Sequence, residues 1–202
     1  GTLIFPSKVG SKYGVKNPYS AEPYNLTDVV KVLAEELHKR GIKLHAWIIV
    51  QYDETWGSRD PVYHCSKWEN KTYFTGPYPV TDKVRLFNQE YQEYIAELAK
   101  ELVAEHGVDG IHLDYIWFSG NGDWKPVSSF VNETRVLINS IAPGTVLSIA
   151  SKAESYTSKT DLAESALYYG QKLYWFSKIC DLFYSMTYHR DYGVVQVLLE
   201  WL

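Results

Sequence analysis

Val108-Asp109-Gly110-Ile111-His112-Leu113-Asp114-Tyr115-Ile116-Trp117 reads as a buried strand with a carboxylate and aromatic rings near its carboxyl end. Directly before it, residues 88–106 predict a helix capped by Asn88, with Tyr91, Ile95, Leu98, Ala99 and Leu102 on one face and Gly107 as its stop. A helix, a tight turn and a strand that ends in an acid is how α/β barrels present catalytic groups.

The same alternation extends in both directions. Residues 2–5 predict a short apolar strand, and residues 26–40 a helix with Val29, Val30, Leu33 and Leu37 at helical spacing, stopped by Gly41. Residues 43–50 predict the next strand, and 51–85 a long loop rich in Tyr, Trp, Pro and Gly. After the 108–117 stretch come a helix over 129–141 ended by Pro143-Gly144, a strand over 146–150, a helix over 161–177, a strand over 180–188 and the start of a helix at 194. These are five consecutive βα units, and mostly apolar strands in that pattern predict a parallel sheet buried on both faces. No Gly-rich phosphate turn follows the first strand, which removes the main mark of a dinucleotide-binding sheet. A long insertion after a strand suits the loops that build an active site on a (β/α)8 TIM barrel. Five units, corresponding to strands 2 to 6, do not close such a barrel, so residues 1–202 are expected to be a single barrel domain that is part of a longer chain.

Composition narrows the function classes. The chain of 202 residues is 46% hydrophobic and 22% charged, enough for one buried core and with no sign of disorder. Its net charge of −4 leaves no basic footprint for nucleic acid. No apolar run reaches the ~18 residues of a membrane span. Aromatic content is 15%, with 17 Tyr and 7 Trp. This is either a Tyr-rich core and surface or a set of flat faces for sugar rings. Asn25, Asn70 and Asn132 each open an N-x-Ser/Thr sequon, which points to an extracellular or cell-surface glycoprotein. Helix capping explains Asn25 and Asn132 equally well. No signal peptide is visible, and the chain opens abruptly on a strand-like segment. The two cysteines, Cys65 and Cys180, lie far apart in sequence; they either pair in an oxidising compartment or are one loop thiol and one buried thiol, and the unpaired reading is the favoured one.

Strand side chains alternate between faces. With Ile111 and Leu113 packed on helices, His112 and Asp114 point into the barrel. With Leu44, Ala46, Ile48 and Val50 on the helix side, His45 and Trp47 point inward beside them. A polar lumen near the strand ends is where barrel enzymes carry their chemistry.

Residues 108–115 resemble the fourth-strand signature of glycoside hydrolase barrels, most closely the glycosyl-hydrolase-like family whose strand reads D-G-I-H-L-D-Y. Residues 37–47 resemble the helix-to-third-strand passage of that group. Ser185-Met186-Thr187-Tyr188 resembles the sixth-strand M-x-Y segment shared with chitinase-like family 18 enzymes. The similarity covers most of the chain, in order. The resemblance implies Asp114 as the leading catalytic carboxylate. Chitinase-like enzymes carry D-x-x-D-x-D-x-E here, and alignment on Asp109 and Asp114 puts His112 at the middle Asp and Ile116 at the final Glu. Ile116 has no proton to give, so a chitinase mechanism is not expected.

Glycosidases use two carboxylates, about 5–5.5 Å apart for retention and roughly 6.5–9.5 Å for inversion. Candidates to face Asp114 are Asp53 or Glu54 after the 43–50 strand, Glu154 after the 146–150 strand, and Asp191 after the 180–188 strand. Spacing does not choose among them, and each alone also reads as a solvated loop acid. His112 orients Asp114, binds a sugar hydroxyl, or is a hydrogen-bonded core histidine. Tyr115, Tyr184, Tyr188 and His189 are candidates to line the same cleft, and Trp47, Trp56, Trp117 and Trp124 are candidate stacking platforms or ordinary packing. No tight His spacing supports a metal site at His45, His112 and Asp114, and no cofactor is expected. The leading reading is a glycoside hydrolase that acts on an extracellular polysaccharide or glycan. Its rivals are a non-catalytic glycan-binding or structural surface protein on the same scaffold, part of a cell-surface assembly, and a metal-dependent polysaccharide deacetylase.

Overall fold

Apolar residues at period two, each run preceded by an amphipathic helix, assemble into one parallel sheet. The computed structural model describes residues 3–15, 28–50, 53–57, 89–117, 124–152 and 169–186. Its elements in chain order are α1 (Lys8–Lys12), α2 (Val29–His38), β1 (His45–Ile49), α3 (Glu54–Gly57), α4 (Gln89–His106), β2 (Gly110–Asp114), α5 (Trp124–Asn139), β3 (Val146–Ser151), α6 (Leu173–Phe176) and β4 (Leu182–Ser185). The strands pair in the order β1-β2-β3-β4, all parallel. A doubly wound sheet reverses its order at a switch point. These four strands do not reverse, which is the progression of an α/β barrel wall, here a partial barrel.

The register carries the alternation across the wall: Trp47 pairs with His112, His112 with Ser148, and Ala150 with Tyr184. Cross-strand partners share a face. One face therefore holds Ile48, Val50, Ile111, Leu113, Leu147 and Ile149, all buried in the core against α4 and α5 through Tyr91, Tyr94, Ile95, Leu98, Phe130 and Val131. The other face holds His45, Trp47, His112, Asp114, Ser148 and Tyr184. Gly107, at φ 75°, makes the left-handed turn from α4 into β2 that a side chain would strain.

Several boundaries differ from the sequence expectation. Residues 3–5 form no strand; Pro6 withholds a ladder N–H, and Ser7 already caps α1 by accepting from Gly10 N–H at 2.7 Å. The buried Glu101 of α4 holds this cap, accepting from Ser7 Oγ and from the backbone N–H groups of Lys8 and Val9. β2 stops at Asp114 rather than Trp117, because Tyr115 leaves the extended region at φ 55°. The 51–85 stretch contains α3, and the helix expected from 129 begins at Trp124. The helix expected from 194 lies outside the described residues; of the one expected over 161–177, residues 161–168 also lie outside them, and the described part is helical only over Leu173–Phe176. On α2, Val29 and Leu33 are 47% and 49% exposed while Ala34 is the buried residue. The stripe faces the outer edge of β1, along which no strand pairs among the described residues. A mostly apolar cavity of about 540 Å³ runs there, lined by Leu3, Val29, Leu33, Ala46, Ile48 and Tyr94 among others.

Two aspartates clasp the strand starts in the same way. Asp109 N–H donates to Leu44 O at 2.8 Å while its carboxylate accepts from Leu44 N–H at 2.8 Å. Asp181 N–H donates to Leu147 O, and its carboxylate accepts from Leu147 N–H, both at 2.8 Å. Burial pushes the Asp109 carboxyl up, but His38 at 2.7 Å, the Leu44 N–H and Lys43 outweigh it, and the net position is below the usual value. Burial likewise acts against Asp181, and the Leu147 N–H and Arg135 overcome it. A carboxyl depressed in the folded state contributes stability above its unfolded value of about 4 and loses it as pH falls through the folded value. Urea unfolding should therefore show a loss of stability below about pH 4 that is smaller in Asp109→Asn; equal acid sensitivity in both proteins would remove Asp109 as a cause.

Candidate active site

The carboxyl ends of the strands place the polar lumen residues in one cleft. It has a volume of about 480 Å³ and is lined by His45, Trp47, His112, Asp114, Ser148, Ala150, Tyr184, Ser185 and Met186. Asp114 is the last residue of β2, and each of its oxygens accepts one hydrogen bond. Trp47 Nε1–H donates to Oδ2 at 3.0 Å from the neighbouring strand, and Tyr115 N–H donates to Oδ1 at 2.7 Å. Together they fix the plane of the carboxylate. Tyr115 is the one non-glycine among the described residues at positive φ, immediately beside it. Such a conformation costs on the order of 1 kcal/mol or more and persists where the surroundings enforce it. Its ring stacks on Trp117 with centroids 4.9 Å apart, and Lys152 Nζ lies 4.3 Å over the Trp117 ring.

His112, half-buried on β2, places Nδ1 2.9 Å from Ser148 Oγ and meets the Tyr184 ring in a T-shaped contact at 5.0 Å. Burial lowers its pKa below the ordinary histidine value; Asp114 raises it and His45 lowers it, and the net is down. The balance of His112 is thus shifted towards the neutral imidazole. His45 lies over Gly110, where an added Cβ would sit 2.7 Å from the ring atoms Cδ2 and Nε2. Gly110→Ala should displace His45 from the cleft wall and cost about 1–3 kcal/mol; unfolding at the wild-type denaturant midpoint would show that the ring moves freely.

The structure brings together His45, Trp47, His112, Asp114 and Tyr184 of the residues singled out in the sequence. Other residues singled out in the sequence do not line that cleft. Asp53 is 4% exposed, accepts from Trp56 N–H at 3.2 Å as a cap on α3, and lines the apolar cavity beside β1 together with His45 and Trp47. Trp56 is fully buried among Tyr13, Tyr91 and Tyr94, and so is core packing rather than a platform. Trp117 is buried beside Tyr115, and Trp124 stacks on Trp175 at 6.0 Å. Asn132 is exposed in the middle of α5, not at a cap. Glu154, Asp191, Tyr188, His189, Asn25, Asn70 and Cys65 lie outside the described residues, as does the Glu54 side chain. Cys180 is buried, and burial pushes its thiol up to about 12. Among the described residues Asp114 is the only carboxylate that lines the cleft. Sequence reasoning missed Ser148; its signal was a polar residue at lumen parity inside the apolar run Val146-Leu147-Ser148-Ile149-Ala150. It also missed Trp47 as a hydrogen-bond donor to Asp114.

Comparison with known proteins completes the description. The sequence model of the family described as "Putative glycosyl hydrolase domain" matches residues 1–200. No curated protein sequence matches the chain. Among solved structures, the PgaB (BpsB) glycoside hydrolase domain from Bordetella bronchiseptica is similar at a TM-score of 0.65 and 14% identity, over 96% of this chain and 61% of that one. Alpha-L-fucosidase isoenzyme 2 from Paenibacillus thiaminolyticus is similar at 0.56 and 18% identity, over 74% of this chain and 25% of that one. The spore cortex-lytic enzyme SleL from Bacillus megaterium is similar at 0.51 and 13% identity, over 81% of this chain and 32% of that one. At these identities the likeness is one of fold, and the chain spans about a quarter to three fifths of the structures it resembles.

Proposed function

The chain belongs to the family described as "Putative glycosyl hydrolase domain", and from that premise we propose that it is a glycoside hydrolase of extracellular polysaccharide or glycan, with Asp114 as its leading catalytic carboxylate. The observation that carries this reading is the placement of Asp114: at the carboxyl end of a barrel strand, oriented by two donors, on the wall of an open cleft. Cleavage of a glycosidic bond needs a proton on the leaving oxygen and a nucleophile at the anomeric carbon. Asp114 serves one of these roles, and a second carboxylate serves the other. Asp53, Glu154 and Asp191 are the candidates for that partner, and Asp53 also caps α3 through Trp56 N–H.

Two exposed rings on the lumen face support a sugar as occupant: Trp47, 65% exposed, and Tyr184, 53% exposed. A flat apolar ring with a polar tip suits the face of a pyranose and its hydroxyls. The three sequons support an extracellular or cell-surface setting. The test is release of reducing ends from a panel of polysaccharides by the chain and by Asp114→Asn. Hydrolysis by the first and not the second is expected. Equal release by both would end the assignment.

A further inference from the structure

Ser148 is fully buried between β2 and β3, and its hydroxyl has two neighbours. Oγ lies 2.9 Å from His112 Nδ1 and 3.3 Å from the carbonyl oxygen of Ile111. A hydroxyl has one proton to give, and a carbonyl accepts only. Both contacts are satisfied together when Ser148 donates to Ile111 O and accepts from His112 Nδ1–H. The opposite arrangement, Oγ–H to Nδ1, leaves two oxygens facing each other with no proton between them. In its neutral form, which burial favours, the His112 ring carries a single N–H. The Tyr184 contact holds the ring's orientation.

We propose that Ser148 is a positioning residue of the Asp114 cleft: it locks His112 in the Nδ1–H tautomer and leaves the Nε2 lone pair as a hydrogen-bond acceptor on the cleft wall. The hydrogen bond at one imidazole nitrogen decides what the other can do. His112 Nε2 and the remaining lone pairs of Asp114 then stand as acceptors on the same strand, two residues apart. Only this last consequence rests on the reading of the cleft as a glycan site: sugar hydroxyls, which donate, are what such a pair of acceptors takes.

The tautomer is read by two-bond proton–nitrogen correlation spectra of the full chain labelled with ¹⁵N-histidine, at about pH 8 where ordinary histidines are neutral. The His112 signal is assigned by its loss in His112→Gln. In the wild type Nδ1 should be protonated and Nε2 bare. Ser148→Ala removes the acceptor, and His112 should convert mainly to the Nε2–H form that an unconstrained side chain favours. Ser148→Thr keeps the hydroxyl and should keep the Nδ1–H form. An Nε2–H signal in the wild type overturns the proposal, and so does an unchanged Nδ1–H signal in Ser148→Ala. The wild-type spectrum needs no variant and decides the matter even where Ser148→Ala does not fold. Absence of hydrolysis in the wild-type chain would count against the glycan reading and leave the tautomer result standing.

Discussion

Asp114→Asn should lower hydrolysis by about 10³-fold or more, equivalent to about 4 kcal/mol of transition-state stabilisation, while the chain stays folded. The substitution keeps the size of the side chain and one carbonyl acceptor. It removes the charge and the ability to take up or give a proton. One of the two donors, Trp47 Nε1–H or Tyr115 N–H, would then face an amide nitrogen instead of an oxygen. That loss is worth about 1 kcal/mol of stability. The expected pattern is thus a large fall in kcat/KM with a small shift in the unfolding midpoint. A variant that loses activity and structure together would place Asp114 with the scaffold instead of the chemistry. A variant within a few fold of wild type would mean that another group attacks or protonates the sugar.

Arg135→Ala should be the most destabilising of the surface-reaching substitutions, by about 2–4 kcal/mol. The Arg135 side chain is 13% exposed and its guanidinium ties three segments together. Nε–H donates to Ile179 O at 2.9 Å, Nη1–H donates to Thr145 O at 2.8 Å, and Nη2 pairs with Asp181. Truncation leaves two carbonyls without these donors and loosens the Asp181 clasp on Leu147. The damage falls on the starts of β3 and β4, the strands that carry Ser148 and Tyr184 into the cleft. Arg135→Lys keeps the charge but not the planar fork of donors, so it should recover only part of the loss. Urea unfolding of the three proteins checks this, and coincident curves for wild type and Arg135→Ala would refute it.

The two substitutions probe different layers of the molecule, and those layers were not equally legible in the sequence. The wall of the barrel was readable because it rests on local periodicity. Ile111 and Leu113 alternate with His112 and Asp114, and a parallel strand with one apolar face has only one way to sit against helices. The same argument correctly turned His45 and Trp47 inward, since Ala46 and Ile48 left no other choice. The α2 stripe was readable as a helix but not as buried, because burial of Val29 and Leu33 depends on what lies along the edge of β1.

Capping and hydrogen-bond partners across strands have no periodic signal. Asp53 and Asp114 both follow apolar strands as short acids, and nothing in their neighbours says that one caps α3 inside the core while the other faces the cleft. Asp109 opens the same motif as Asp114, yet it clasps Leu44 at the opposite end of β2. By itself the sequence determined the order of strands and helices, the partial barrel they form and the face on which Asp114 stands, because each follows from the spacing of apolar residues along one chain. Only the tertiary structure decided that Trp47 and the strained Tyr115 hold Asp114, that Ser148 meets His112, and that Asp53 caps α3. These depend on register between strands tens of residues apart, where a shift of one residue would turn every side chain to the other face.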